Sequence, residues 1–203
     1  MQQAPSHPRL KRIVPESKQY AKTTYRKALK ELLGETGGRC GYSMQHVRDF
    51  GTRTMEVDHF NPTLKHPPRN RHGNLIAASR HCNGFKSQTW PSSEKQAKGL
   101  RFINPYEEMD YGVHIVEDLK TGKLVGKTDA GRWHIEMLDL NTEHLVTKRL
   151  DRTKLANMLK KCAYVSGADP TNGVFEALKD LLPTVHETML STMIPMIAGA
   201  EAS

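Results

Sequence analysis

The residues with the most chemical content in this 203-residue chain fall within positions 39–90. Asp58 and His59 stand side by side, Asn74 follows 15 residues after His59, Asn83 a further 9 on, and Lys86 3 beyond that. An imidazole, with an ordinary pKa of about 6.5, can take a proton from water near neutral pH. The neighbouring carboxylate, in an extended strand, points to the opposite face and could hold a hard cation such as Mg²⁺. Asn83, from a helix, would add a neutral oxygen ligand, and so small a protein ligand set leaves coordination positions for water and a phosphate oxygen. A base, a hard cation and in-line positioning are the requirements of phosphodiester hydrolysis. Singly, each residue also has a duller use: Asp-His pairs are common, and asparagine forms turns and caps.

Such groups need elements to hold them. Residues 53–60 read as a strand whose end delivers Asp58 and His59, and Asn61-Pro62 as a turn. Pro67, Pro68 and Gly73 make residues 65–73 a loop, residues 74–78 resume packing, and a short helix begins near His81 and runs past Lys86. Upstream, Tyr20, Tyr25, Ala28, Leu32 and Leu33 have near-helical spacing over residues 17–33, with Gly34, Gly37 and Gly38 as stop signals. Downstream, residues 114–117, 124–127 and 133–137 read as short strands, and Asn141 as the cap of a long helix reaching about residue 165. After a break at Gly167, Asp169 and Pro170, residues 174–182 and 185–197 look helical. The expected class is α+β. Its four parts are a basic leader and helix (1–38), the segment with the chemistry (39–100), a β region with a long helix (101–166), and C-terminal helices (167–203).

The formal net charge of +8 is unevenly spread. Residues 1–39 carry nine Lys or Arg against three Asp or Glu, and residues 63–101 eight against one, whereas residues 164–203 carry one against five. Two basic segments flanking a near-neutral one suit a polyanion surface, although the same charges also suit a solvated face. No run approaches the roughly 18 apolar residues of a membrane helix, and the N-terminus lacks a secretory signal, so a cytoplasmic location is expected. Three cysteines are too few for a disulfide framework.

Four stretches, Cys-Gly-Tyr-Ser at 40–43, Glu-Val-Asp-His-Phe-Asn-Pro at 56–62, Asn-Leu-Ile at 74–76 and Ser-Arg-His-Cys-Asn-Gly-Phe-Lys-Ser at 79–87, together resemble the HNH endonuclease family. That resemblance implies a ββα-metal finger, two antiparallel strands and a helix around one divalent ion, Mg²⁺ or alternatively Mn²⁺. It implies His59 as general base, Asp58 and Asn83 as metal ligands, and Asn74 as the residue that orients the loop or the histidine through its amide. Arg80 and Lys86, with Lys65, Arg69 and Arg71 of the basic loop, would face the phosphates of DNA, with RNA as an alternative target.

Where many HNH proteins frame the finger with two Cys-x-x-Cys pairs around structural Zn²⁺, this chain has Cys40-x-x-Ser43 and Ser79-x-x-Cys82. Serine is a poor zinc ligand, so a four-cysteine site cannot form. Cys40 and Cys82 then read as small buried hydrophobes or the remains of a degenerate knuckle, unless His46, His72 or His81 completes a site. A looser similarity over about residues 10–155 rests on Phe-Ile-Asn-Pro at 102–105, Val-Gly-Lys-Thr at 125–128, and Leu-Asp-Leu-Asn at 138–141 ahead of Leu145 and Arg149. These resemble a bacterial group that includes the HNH subunit of the Septu antiphage system. The similarity implies a defence nuclease beside an ATPase partner. The acidic, Met-rich C-terminal helices would offer the partner surface or, alternatively, complete the chain's own core. A non-catalytic nucleic-acid-binding or assembly subunit is the competing reading.

Overall fold

A computed structural model describes residues 10–108 and 112–166. The C-terminal helices expected within 167–203 lie outside the described residues. The central unit is an antiparallel hairpin of β1 (Met55–His59) and β2 (Leu75–Ser79), in register from Met55 opposite Ser79 to His59 opposite Leu75. Leu75, Ile76, Ala77 and Ala78 are all fully buried, the run of apolar residues required of a strand covered on both faces. One cover is α1 (Leu29–Glu35), preceded by a 3₁₀ turn at Tyr25–Ala28. The other is α3 (Arg80–Lys86), which starts where β2 ends because the Ser79 hydroxyl accepts from the Cys82 amide at 3.2 Å. Between α1 and β1 lies the single turn α2 (Val47–Phe50), and α4 (Ser93–Ala97) follows α3.

A second hairpin, β3 (Ile115–Glu117) with β4 (Leu124–Gly126), packs on α5 (Asp129–Met137), and α6 (Glu143–Ser166) closes the described chain. The fold is α+β with two small antiparallel sheets. Residues 133–137, expected as a strand, form the last turns of α5. Ala130, Trp133, His134 and Leu138 recur at helical spacing on its buried side, and a short apolar run alone does not distinguish the two periods. The expected helix over 17–33 begins only at Tyr25. Gly131 explains how closely α5 approaches the second hairpin, since a Cβ there would stand 2.0 Å from the His114 carbonyl oxygen. Asn141 caps nothing. Its side chain instead grips both the amide and the carbonyl of Leu124, at 2.7 and 2.9 Å, while the buried Arg149 guanidinium binds the Gly122 and Leu140 carbonyls. One continuous apolar core joins the two hairpin units, with Phe102 packed edge-on against Trp133 at 4.5 Å. Among the described residues no helix is long and apolar enough to cross a membrane.

Glu35, at the end of α1, ties the N-terminal segment to this frame. Its buried carboxylate accepts from the Ile13 and Val14 amides at 2.9 and 3.0 Å, pairs with Arg12 at 3.1 Å, and meets His72 Nε2 at 2.9 Å. Burial opposes its ionisation, but those amides and His72 outweigh it and hold the carboxyl below its ordinary range. A depressed folded-state pKa contributes stability that is fully present above the unfolded value, about 4.3, and is lost as pH falls through the folded value. Glu35→Gln should therefore unfold more easily than wild type near neutral pH. The gap between them, read from urea unfolding, should narrow as the pH drops from about 5 to about 3.

Candidate active site

His59 closes β1 and turns towards the N-terminal face, where the Tyr25 ring lies 4.7 Å from its imidazole. Its Nε2 is 2.9 Å from Oδ1 of Asn70, a residue only 1% exposed. With Oδ1 as acceptor, Nε2 carries the ring proton and Nδ1 keeps its lone pair. Burial, reinforced by the nearby positive charges of Arg69 and Lys86, lowers the His59 pKa against the opposing pull of Asn70 and Asp58, so the ring is the neutral base at neutral pH. Asn70 belongs to the 65–73 loop, and no spacing signal in the sequence singled it out.

Asn74 holds that loop. Its Oδ1 accepts from the Asn61 amide at 2.9 Å, and its Nδ2 donates to the Asn61 and Arg69 carbonyls at 3.2 and 2.9 Å. One side chain thus clamps both ends of the excursion between β1 and β2. Through Arg69 it fixes the backbone next to Asn70, and so the partner of His59.

On the opposite side of β1, Glu56 and Asp58 face Asn83 and Lys86 of α3. The period of two in the strand and the three-residue step in the helix align these pairs. Asp58 is 4% exposed and Lys86 is fully buried. The Lys86 ammonium donates to Asp58 at 2.9 Å and to the His59 carbonyl at 2.8 Å, and the Tyr42 hydroxyl donates to Asp58 at 2.5 Å. Burial raises the Asp58 pKa against the pull of Lys86 and Tyr42, and it lowers that of Lys86. Two expectations change here. Lys86 does not face phosphate, because its ammonium is consumed inside the protein. Asp58 is not an open ligand, because both of its oxygens already serve Lys86 and Tyr42.

Asn83 Nδ2 is 2.7 Å from Glu56 Oε2, and the other Glu56 oxygen pairs with Arg80 at 3.0 Å. Glu56 was not singled out from the sequence, although its position two residues before Asp58 places it on the same strand face. Among the described residues there is no group of three or more His, Cys, Asp or Glu side chains poised around an ion. The donor chemistry nevertheless suits a hard cation. Carboxylate, amide and carbonyl oxygens line the β1–α3 seam, and the Lys86 ammonium already sits among them as a cation.

Lys65, Arg71 and Arg80 are exposed and Arg69 half-buried, so four of the five expected phosphate contacts lie where a polyanion could reach them. Cys40, Ser43, Ser79 and Cys82 do converge. The Tyr42 and Ser43 amides donate to Cys40 Sγ at 3.4 Å, and the two thiols hydrogen-bond each other. Burial alone would raise the Cys40 pKa, but donors from Cys82 and Ser43 hold it down to about 5; its bond to Cys40, with burial, pushes Cys82 well up. His46, His72 and His81 are each engaged elsewhere, with the Arg48 amide, Glu35 and Asp139 respectively.

Compared with known proteins, the chain matches no family model, no curated sequence and no solved structure.

Removing one partner of a buried ion pair strands the other. Lys86→Met should cost about 3–5 kcal/mol of stability, measured by urea unfolding. Adding Asp58→Asn to the same chain should restore much of it, because no buried charge then remains; a double variant no more stable than Lys86→Met alone would show that the pair is not the source of the loss.

Proposed function

We propose that this protein is a metal-dependent endonuclease that hydrolyses phosphodiester bonds in DNA, and that the HNH resemblance reflects common chemistry. The observation that carries this reading is His59, a neutral imidazole held through Nε2 by buried Asn70 at the end of a hairpin flanked by exposed basic side chains. In that role Nδ1 takes the proton of the attacking water, while Asn70 fixes the ring and shares the positive charge that develops on it. Asn74 keeps the loop in place, and Arg69, Arg71, Arg80 and Lys65 draw the polyanion to the site.

The fitting ion would be Mg²⁺, or Mn²⁺ in its place, and the oxygens of Asn83 and Glu56 would hold it. When bound, such an ion neutralises charge on the phosphorane and the leaving oxygen. The antiphage role and an ATPase partner rest on the looser similarity and belong to the same proposal.

A second reading, a nucleic-acid-binding module that keeps the scaffold without the reaction, is favoured by one observation: Asp58 is closed off by Lys86 and Tyr42. Plasmid DNA incubated with the purified chain, with and without Mg²⁺ or Mn²⁺, separates the two. The nuclease reading expects metal-dependent nicking or linearisation, and its competitor expects a shifted but intact plasmid.

His59→Ala should lower the cleavage rate on the order of 10² to 10⁴-fold while leaving the fold and DNA binding in place. Because the His59 pKa is lowered, the rate should fall off only below a pH of about 6.5, where the ring gains its proton. Asn70→Asp would place a carboxylate beside Nε2, stabilise the imidazolium and raise that pKa. Its acid limb should accordingly move to higher pH, and an unmoved pH–rate profile would remove Asn70 from the mechanism.

A further inference from the structure

A cleft of about 590 Å³ opens beside the hairpin end, within the size range of small-ligand sites. Its floor is apolar. Phe60, the residue after His59, meets Trp90 edge-to-face at 5.5 Å, and Leu64 and Pro68 extend the surface. The rim is polar and of mixed sign, with the Glu16 carboxylate, the Arg71 guanidinium and the Asn61 amide, together with Glu107, whose carboxylate accepts from Asn104 at 2.9 Å. Among the described residues, neither the Glu16 carboxylate nor the Arg71 guanidinium meets a side-chain partner, and the Asn61 amide nitrogen is likewise unengaged. Asn74, which clamps the loop, forms part of the wall.

A simple anion would not select this cleft, because Glu16 and Glu107 oppose Arg71. A purely apolar ligand would leave the rim unused. A planar heterocycle that presents both hydrogen-bond donors and acceptors, attached to a phosphate, uses the aromatic floor together with Glu16, Asn61 and Arg71. Its face stacks on the aromatic floor, its amino group donates to Glu16, its ring acceptors meet Asn61, and its phosphate meets Arg71. We propose that the Phe60–Trp90 cleft is a nucleobase pocket that receives one base turned out of the substrate strand next to the phosphate presented to His59. This deepens the nuclease reading and rests on it for the placement of that phosphate. An unpaired or single-stranded base enters at the lowest cost, so the pocket favours targets with disrupted pairing.

The full chain carrying His59→Ala, in metal-free buffer so that no strand is cut, is titrated with two short single-stranded DNAs. They are identical except that one has 2-aminopurine and the other an abasic site at a single position. The expected result is quenching of 2-aminopurine fluorescence on binding and affinity about tenfold weaker for the abasic strand. Trp90→Ala should abolish the quenching, and Glu16→Gln, at an exposed position outside the core, should reduce the discrimination. Equal affinity for the two strands, unquenched fluorescence, or discrimination that survives both substitutions overturns the pocket. Cleavage of plasmid by the unsubstituted chain with Mg²⁺ is scored separately. Cutting without base discrimination would refute the pocket alone, whereas base discrimination without cutting would support the pocket and refute the nuclease reading.

Discussion

The ion pair between Lys86 and Asp58 is the constraint on which the centre of the molecule depends. Two charges leave water there, and the cost is tolerable only because every oxygen and proton near them is used: Tyr42 donates to Asp58, and Lys86 also donates to the His59 carbonyl. That last bond ties helix α3 to the backbone of the proposed base. The pair therefore fixes the distance between helix and hairpin, and any cation that enters the seam must compete with an ammonium already in place. Phe102 lies under the same ammonium at 5.4 Å, so the second hairpin unit buttresses the pair through its aromatic contacts.

Around this pair the structure arranges two further clamps on the other side of β1. Glu35 holds the N-terminal segment against His72, the first residue of the 3₁₀ turn that leads into β2. Asn74 holds both ends of the loop between the strands, and Asn70 from that loop holds His59. Each clamp is a buried or half-buried polar side chain bonded to backbone, a rigid way to position the ring of the proposed base on a two-stranded sheet that would be marginal alone. In the cysteine cluster, Ser43 and Ser79 meet the two buried thiols of Cys40 and Cys82. The hydrogen bonds among them, with the Tyr42 ring edge-on to His134 at 5.9 Å, hold that corner together.

Much of the frame was legible in the sequence because its signals are local. The strand read over 53–60, the apolar stretch over 74–78 and the short helix read from near His81 stand where β1, β2 and α3 lie, and the basic residues of the 65–71 loop must be near the surface whatever the fold. Signals that depend on neighbours failed. Residues 133–137 became helix because their partner surface is the second hairpin, approached through Gly131, and Asn141 binds Leu124 across the fold instead of capping the helix that follows it.

For the site the division is similar. Sequence alone determined that Asp58 and His59 point to opposite faces and that Asn83 and Lys86 share a face, since those are properties of a strand and a helix. Only the tertiary structure decided which side each face meets. It sent Lys86 inward, because a buried carboxylate must be paired, and put Glu56 beside Asn83. It brought Asn70 to His59 from a loop whose course no periodicity describes. Backbone geometry is written in near neighbours, but the partner of a charge or of a ring nitrogen is set by what packs across the fold.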